Sequence, residues 1–150
     1  MKVELQDYLK KKFPLLYPKN FEFECNDGWF QILLWLSRYL EMYTTQQNEM
    51  SVKNPQYYQP VKQTVAVQIK QKFGTLRFYY EGGNEHIRTI IQYTEFISGY
   101  ICEYTGKTID VGYNKKGFIQ VQHKDLAKNK NDFNFVDDEE LRTLLKTYDQ

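Results

Sequence analysis

Two alternating runs decide most of what this chain can become. From Thr64 to Lys70, Val65, Val67 and Ile69 fall on one side and Thr64, Ala66, Gln68 and Lys70 on the other, the period of a half-buried strand. Leu76, Phe78 and Tyr80 repeat that period after Gly74, a residue able to take the positive φ of a tight connection. Together the runs predict an antiparallel hairpin, ended by Glu81-Gly82-Gly83. One face of such a sheet is apolar and has to be covered by helices.

The helices come from a different period. Leu5, Tyr8 and Leu9 stand at i, i+3 and i+4, which predicts a short amphipathic helix stopped by Pro14. Phe21 and Phe23 alternate with Glu22 and Glu24 as a brief strand before Asp27, whose carboxylate can cap a helix by accepting from an unpaired backbone N–H. Trp29, Leu33, Leu36, Leu40 and Tyr43 then follow helical spacing, and Phe30, Leu34 and Trp35 widen the stripe until little of this central helix can face water. Thr44 to Pro60 has no sustained apolar period and reads as a long loop.

Asn84 is placed to cap a second long helix, with Ile87, Ile90, Ile91, Thr94, Ile97, Ile101 and Tyr104 on one face. Gly99 inside it costs about 1 kcal/mol relative to Ala, a sign that the far end is close-packed or frayed. Thr108–Val111 and Phe118–Val121 read as a second, shorter hairpin, and Lys128–Asn134 as a polar loop. Asp137 with Glu140 makes a capping-box pattern ahead of Leu141, Leu144, Leu145 and Tyr148, so the chain closes with a helix to about Tyr148. This order, without a βαβ rhythm, predicts an α+β fold in one domain over residues 1–150. Two long helices pack on a small antiparallel sheet of hairpins, with a C-terminal helix.

Composition narrows the function classes. Twenty basic against nineteen acidic residues gives a net charge of +1, which excludes the strongly basic surface of a protein held to nucleic acid mainly by phosphate contacts. Two cysteines exclude a disulfide scaffold. No apolar run reaches about 18 residues and the first 20 residues lack a signal-peptide core, so the expectation is a cytoplasmic protein that engages no membrane. With 13 Tyr inside a hydrophobic share of 41%, tyrosine has to carry part of the core.

Few residues are arranged for chemistry. Gly82-Gly83-Asn84 has neither nucleotide-loop spacing, so it reads as a plain strand-to-helix turn. Cys25 has Glu24 and Asp27 as neighbours, which raise a thiol pKa, and so lacks the activation of a nucleophile. His86, in the first turn of its helix, reads as a surface histidine. Lys70, Lys72, Arg77 and Tyr79 interleave cations with an aromatic ring on the first hairpin, a pattern able to hold single-stranded nucleic acid. The run Lys72-Phe73-Gly74-Thr75-Leu76-Arg77-Phe78-Tyr79 is nonetheless not an RNA-recognition-motif signature.

The segments Phe23-Glu24-Cys25-Asn26-Asp27-Gly28-Trp29 and Lys72 to Tyr79, with Lys12-Phe13-Pro14 upstream, resemble a functionally uncharacterised family of small bacterial, phage and prophage proteins. The resemblance spans roughly residues 9 to 106 and implies a bacterial or phage setting rather than an activity. Many members of that family end in a zinc site, C-x-x-C-G followed by C-x-x-H. Here Cys102-Glu103-Tyr104-Thr105-Gly106 has Thr at the second cysteine, and Val121 to Ala127 offers His123 without a cysteine. A closed zinc site needs four ligands. The tail over about residues 100–127 is therefore expected to be degenerate, without metal or other cofactor, and held by packing around Tyr100, Tyr104, Tyr113 and Phe118.

These readings converge on a non-enzymatic module of phage or bacterial origin that binds a protein partner, since an aromatic content of 17% supplies the anchors interfaces use. The alternative is a nucleic-acid-binding accessory protein. No catalytic residues are assigned, although a pocket joining Glu24, Asp27 and Arg77 would revive an enzyme. The candidate binding residues are Asp27, Trp29, Lys72, Arg77 and Tyr79, and the two motifs are expected to meet in space.

Overall fold

The computed structural model describes residues 1–148. In chain order the elements are α1 (Val3–Lys12), β1 (Phe23–Glu24), α2 (Phe30–Lys53), β2 (Lys62–Lys72), β3 (Thr75–Gly83), α3 (Glu85–Ser98), β4 (Val111–Asn114), β5 (Gln122–His123), β6 (Phe133–Phe135) and α4 (Glu139–Tyr148). The strands form two small sheets ordered β1-β2-β3 and β5-β4-β6, and with the helices they make an α+β fold.

The first hairpin forms where alternation predicts it, joined by a two-residue turn in which Phe73 (φ 52°) and Gly74 (φ 79°) both take positive φ. Its inner face differs from the expectation. Ala66 lies opposite Tyr80 and Gln68 opposite Tyr79, so β2 spends one extra residue at Val67. That bulge reverses the phase of the strand. Thr64 and Ala66 face the core before it and Ile69 after it, while Val67 is 58% exposed.

Both edges of this sheet are closed. β1 adds to β2 in parallel, with Phe23 beside Ile69, and the Ala66 N–H donates to the Leu16 carbonyl. Along β3, the Leu76 N–H donates to Ser98 Oγ and the Phe78 N–H to Glu95 Oε1, both at 2.8 Å. α3 thus covers with side-chain acceptors an edge that would otherwise template another strand.

α2 corrects the sequence reading twice. Gln31, Trp35, Arg38, Met42 and Thr45 form a solvent face at helical spacing, so Trp35 lies outside the buried stripe. The helix also runs on to Lys53 through residues expected to be loop, leaving 54–61 as the connection. Polar side chains hold this extension. Asn48 Nδ2 donates to the Val61 carbonyl at 3.2 Å and its Oδ1 accepts from the Val61 N–H at 2.7 Å, clasping the chain as it returns. An apolar period cannot register contacts made by amides.

α3 begins at the predicted cap, with Asn84 Oδ1 accepting from the Ile87 N–H at 3.1 Å. It stops at Ser98 rather than continuing to Tyr104, because Gly99 packs against Thr75 and the next residues turn away. Cys102 N–H then donates to the Lys107 carbonyl and Glu103 N–H to the Val121 carbonyl, which leads the chain into the second sheet. There β4 pairs with β5 (Val111 opposite His123) and with β6, a strand drawn from the stretch that reads as polar loop and just beyond it. Gly112 permits this pairing, since a β-carbon on it would collide with the Asn134 carbonyl. At α4 the cap is Asp138 rather than Asp137, its carboxylate accepting from the Leu141 N–H.

One core cluster spans both sheets, from Trp29, Ile69, Leu76 and Ile87 to Cys102, Val111 and Val121. Tyr17 belongs to it, hydrogen-bonded at 2.7 Å to Ser37, and burial pushes its hydroxyl well above the usual range against that bond. Tyr57, Tyr79, Tyr93, Tyr100, Tyr104 and Tyr148 are instead exposed. Among the described residues no helix is long and apolar enough to cross a membrane.

Candidate functional site

The Asp27-Gly28-Trp29 motif is built into the interior. Trp29 is 0% exposed and its Nε1 donates to the Ile101 carbonyl at 3.0 Å. The Gly28 N–H donates to the Glu103 carbonyl, and a β-carbon at Gly28 would stand 2.2 Å from the Cys102 carbonyl oxygen, so the approach requires glycine. Asp27 caps α1 in place of its own helix. Its Oδ1 accepts from the Lys2 N–H at 2.7 Å, at a helix start where a carboxylate is favoured. Glu103, to which the sequence analysis assigns no role, is the buried hub beside them. Its Oε1 accepts from Asn26 N–H and Nδ2, and its Oε2 from Gln120 Nε2, so neutral donors satisfy a buried carboxylate.

The two motifs converge on the segment from Ser98 to Gly106. Trp29 binds it at Ile101, while the hairpin binds it through Leu76 on Ser98 and Thr75 on Gly99. No catalytic set forms from Glu24, Asp27 and Arg77, because each is engaged separately: Glu24 with Gln68, Asp27 with Lys2 and Arg77 with the Leu76 carbonyl.

Lys72, Arg77 and Tyr79 instead lie on the outward side of the hairpin. Lys70 Nζ sits 5.5 Å over the Tyr79 ring and Lys72 Nζ 5.6 Å over the Phe73 ring, within the range of cation–π attraction. Among the described residues Lys70, Lys72 and Arg77 enter no ion pair. Phe73, 69% exposed, projects from the turn. The loop after β4 abuts the same tip, with Gln71 Nε2 donating to the Ile119 carbonyl, and carries the exposed Lys115, Lys116 and Phe118. Arg77 also borders a groove of about 590 Å³ with Glu95, Phe96, Tyr100, Tyr113 and Phe135. Cations and aromatic rings thus share the outer face of the hairpin, and Arg77 reaches the groove at the end of α3. Phe73 is the residue sequence reasoning passed over; an aromatic at the first position of a turn needing positive φ is its visible signal.

The remaining reactive groups are accounted for. The Cys25 thiol is pushed up to about 12, chiefly by burial and further by Glu103 and Asp27, with the amino terminus opposing. His86 is exposed yet partnered, its Nε2 2.6 Å from the Tyr39 hydroxyl and its ring 4.3 Å from that of Tyr43. In the turn over 102–107, Thr105 Oγ1 accepts from the Lys107 N–H, and Gly106 N–H donates to the Cys102 carbonyl. Backbone bonds and the Gly28 contact hold this turn. Among the described residues no three His, Cys, Asp or Glu side chains are grouped to hold a metal ion. The expected result is less than one equivalent of zinc in purified protein by elemental analysis and a melting temperature insensitive to EDTA; stoichiometric zinc with a chelator-induced drop would contradict it.

No family model matches the chain, and no curated protein or solved structure is significantly similar to it.

Proposed function

We propose that this protein is a non-enzymatic interaction module that binds a protein partner through the outer face and tip of the β2–β3 hairpin. The partner offers an acidic segment beside an apolar side chain. Phe73 carries this reading. A two-residue turn with both φ values positive favours Asn, Asp or Gly at its first position, and an L-residue with a large side chain costs roughly 1 to 2 kcal/mol there. The ring returns little of that cost to the core, since it stands 69% exposed. An anchor for a partner accounts for both the strain and the exposure. Lys70, Lys72 and Arg77, without acidic partners among the described residues, supply the complement to an acidic segment. The phage or bacterial setting and the cytoplasmic location belong to the same proposal.

Phe73→Asn separates stability from binding. Asparagine tolerates positive φ, so the variant should melt at the same temperature or slightly higher. Its capture of the partner from host lysate, quantified by mass spectrometry, should fall at least about tenfold, the loss of one interface anchor worth about 1.4 kcal/mol or more. No reproducible partner for the wild type at micromolar protein, or equal capture by the variant, would reject the proposal.

A second reading, an accessory protein for single-stranded nucleic acid, is favoured by the Lys70–Tyr79 and Lys72–Phe73 pairs, which present rings for base stacking beside cations for phosphates. Its mark is an anisotropy change of a labelled oligonucleotide that weakens steeply with salt. No binding at low salt removes it.

A further inference from the structure

A second charged site lies in the C-terminal part of the chain, around Asp110. Asp110 is 5% exposed and sits at the entry to β4 with φ 56°. Three cations converge on its carboxylate: Lys124 Nζ at 2.9 Å and Lys146 Nζ at 2.8 Å, both on Oδ2, and Arg142 Nη1 at 3.3 Å on Oδ1. Two ammonium groups on one oxygen lie no further apart than those two contacts laid end to end. The carboxylate's attraction outweighs their mutual repulsion, yet one negative charge among three cations leaves the cluster net positive. Arg142 has additional support from the Phe135 ring, 3.6 Å from its Cζ, whereas Lys124 and Lys146 remain half-exposed.

A cleft of about 600 Å³ opens at this cluster, lined by Lys107, Thr108, Asp110, His123 and Lys146 among others. Lys107 is exposed and in no ion pair among the described residues. His123 lines the cleft, with its Nδ1 3.3 Å from both the backbone nitrogen and Oδ2 of Asp125. Burial, followed by the Lys107 charge, holds its pKa below the ordinary value. Asp125, whose side chain is mostly exposed, is the acidic group on the His123 side of the cluster.

We infer that the cleft between Lys107, Thr108, His123 and Lys146 binds a small phosphorylated anion, whose charge completes the neutralisation that Asp110 leaves unfinished. Lysines act as point charges for phosphate oxygens, the Thr108 hydroxyl adds a neutral donor, and a polyvalent anion matches an excess of more than one positive charge better than a carboxylate does.

The test is a heteronuclear NMR titration of the whole chain with inorganic phosphate and with pyrophosphate, at constant low ionic strength set by sodium chloride. Pyrophosphate should saturate with a Kd below about 1 mM, shifting the amides of Lys107, Thr108, Asp110, His123 and Lys146. Lys107→Ala should weaken it by about fivefold or more, while Lys19→Ala, on an exposed loop before β1, should leave it unchanged. Lys107→Ala removes no contact of Asp110, so it is expected to fold; the pattern of shifted amides in the wild type tests the site even if it does not. Shifts that never saturate, shifts spread over other lysines, or equal binding by Lys107→Ala would each overturn the inference.

Discussion

Trp29→Ala should destabilise the fold by about 3 to 5 kcal/mol, read as a lower urea midpoint at unchanged slope. The ring is wholly buried in the shared core, so its removal leaves a cavity bordered by groups that cannot collapse freely. It also strips the Ile101 carbonyl of its donor at the point where α3 hands the chain to the second sheet. Trp29→Phe separates the two effects. It keeps much of the volume and loses the N–H, and should cost less than the alanine by the part owed to packing. A loss below about 1 kcal/mol for Trp29→Ala would mean that the ring is exposed and free to meet a partner.

How much of this was legible follows from the range of each interaction. The hairpin turn, the Asn84 cap and the helix after it rest on contacts within a few residues, and a sequence displays those directly. The Val67 bulge was hidden because an alternating run looks the same whether or not a strand takes up an extra residue; only its partner, β3, fixes the phase. The second half of α2 was hidden because Asn48 and Gln47, rather than an apolar stripe, hold the returning chain. Of the candidate site, Lys72, Arg77 and Tyr79 were legible from the interleaving of charge and ring. Asp27 and Trp29 were recognisable as a motif, yet the burial of Gly28 and Trp29 depends on Glu103 and Ile101, more than 70 residues away. The burial of Glu103 and Asp110 rests on distant partners for the same reason. A residue type announces its charge but not the distant groups that will satisfy it.

Asp110→Asn should cost about 2 to 4 kcal/mol at neutral pH, because it keeps the side-chain volume and removes the charge on which Lys124, Arg142 and Lys146 converge. The penalty stays below that of a fully buried orphan charge, since two of the cations can turn toward water. Its pH dependence has a definite sign. Burial alone would raise the Asp110 carboxyl, but hydrogen bonds from Lys146 and Lys124 outweigh it and hold the group well below the usual carboxylate range. A carboxylate with a depressed folded pKa contributes stability that is complete above its unfolded value, near about 4, and is lost as pH falls toward the folded one. The wild type should therefore converge on Asp110→Asn as urea midpoints are followed from pH 7 downward through about pH 4 and below. The comparison with Asp110→Asn isolates this carboxylate from the other acids of the chain, which titrate in both proteins. A gap that stayed constant across that range would mean that Asp110 is not a charged tie between β4, α4 and the Lys124 turn, and the excess of positive charge around it would then have no anion at its centre.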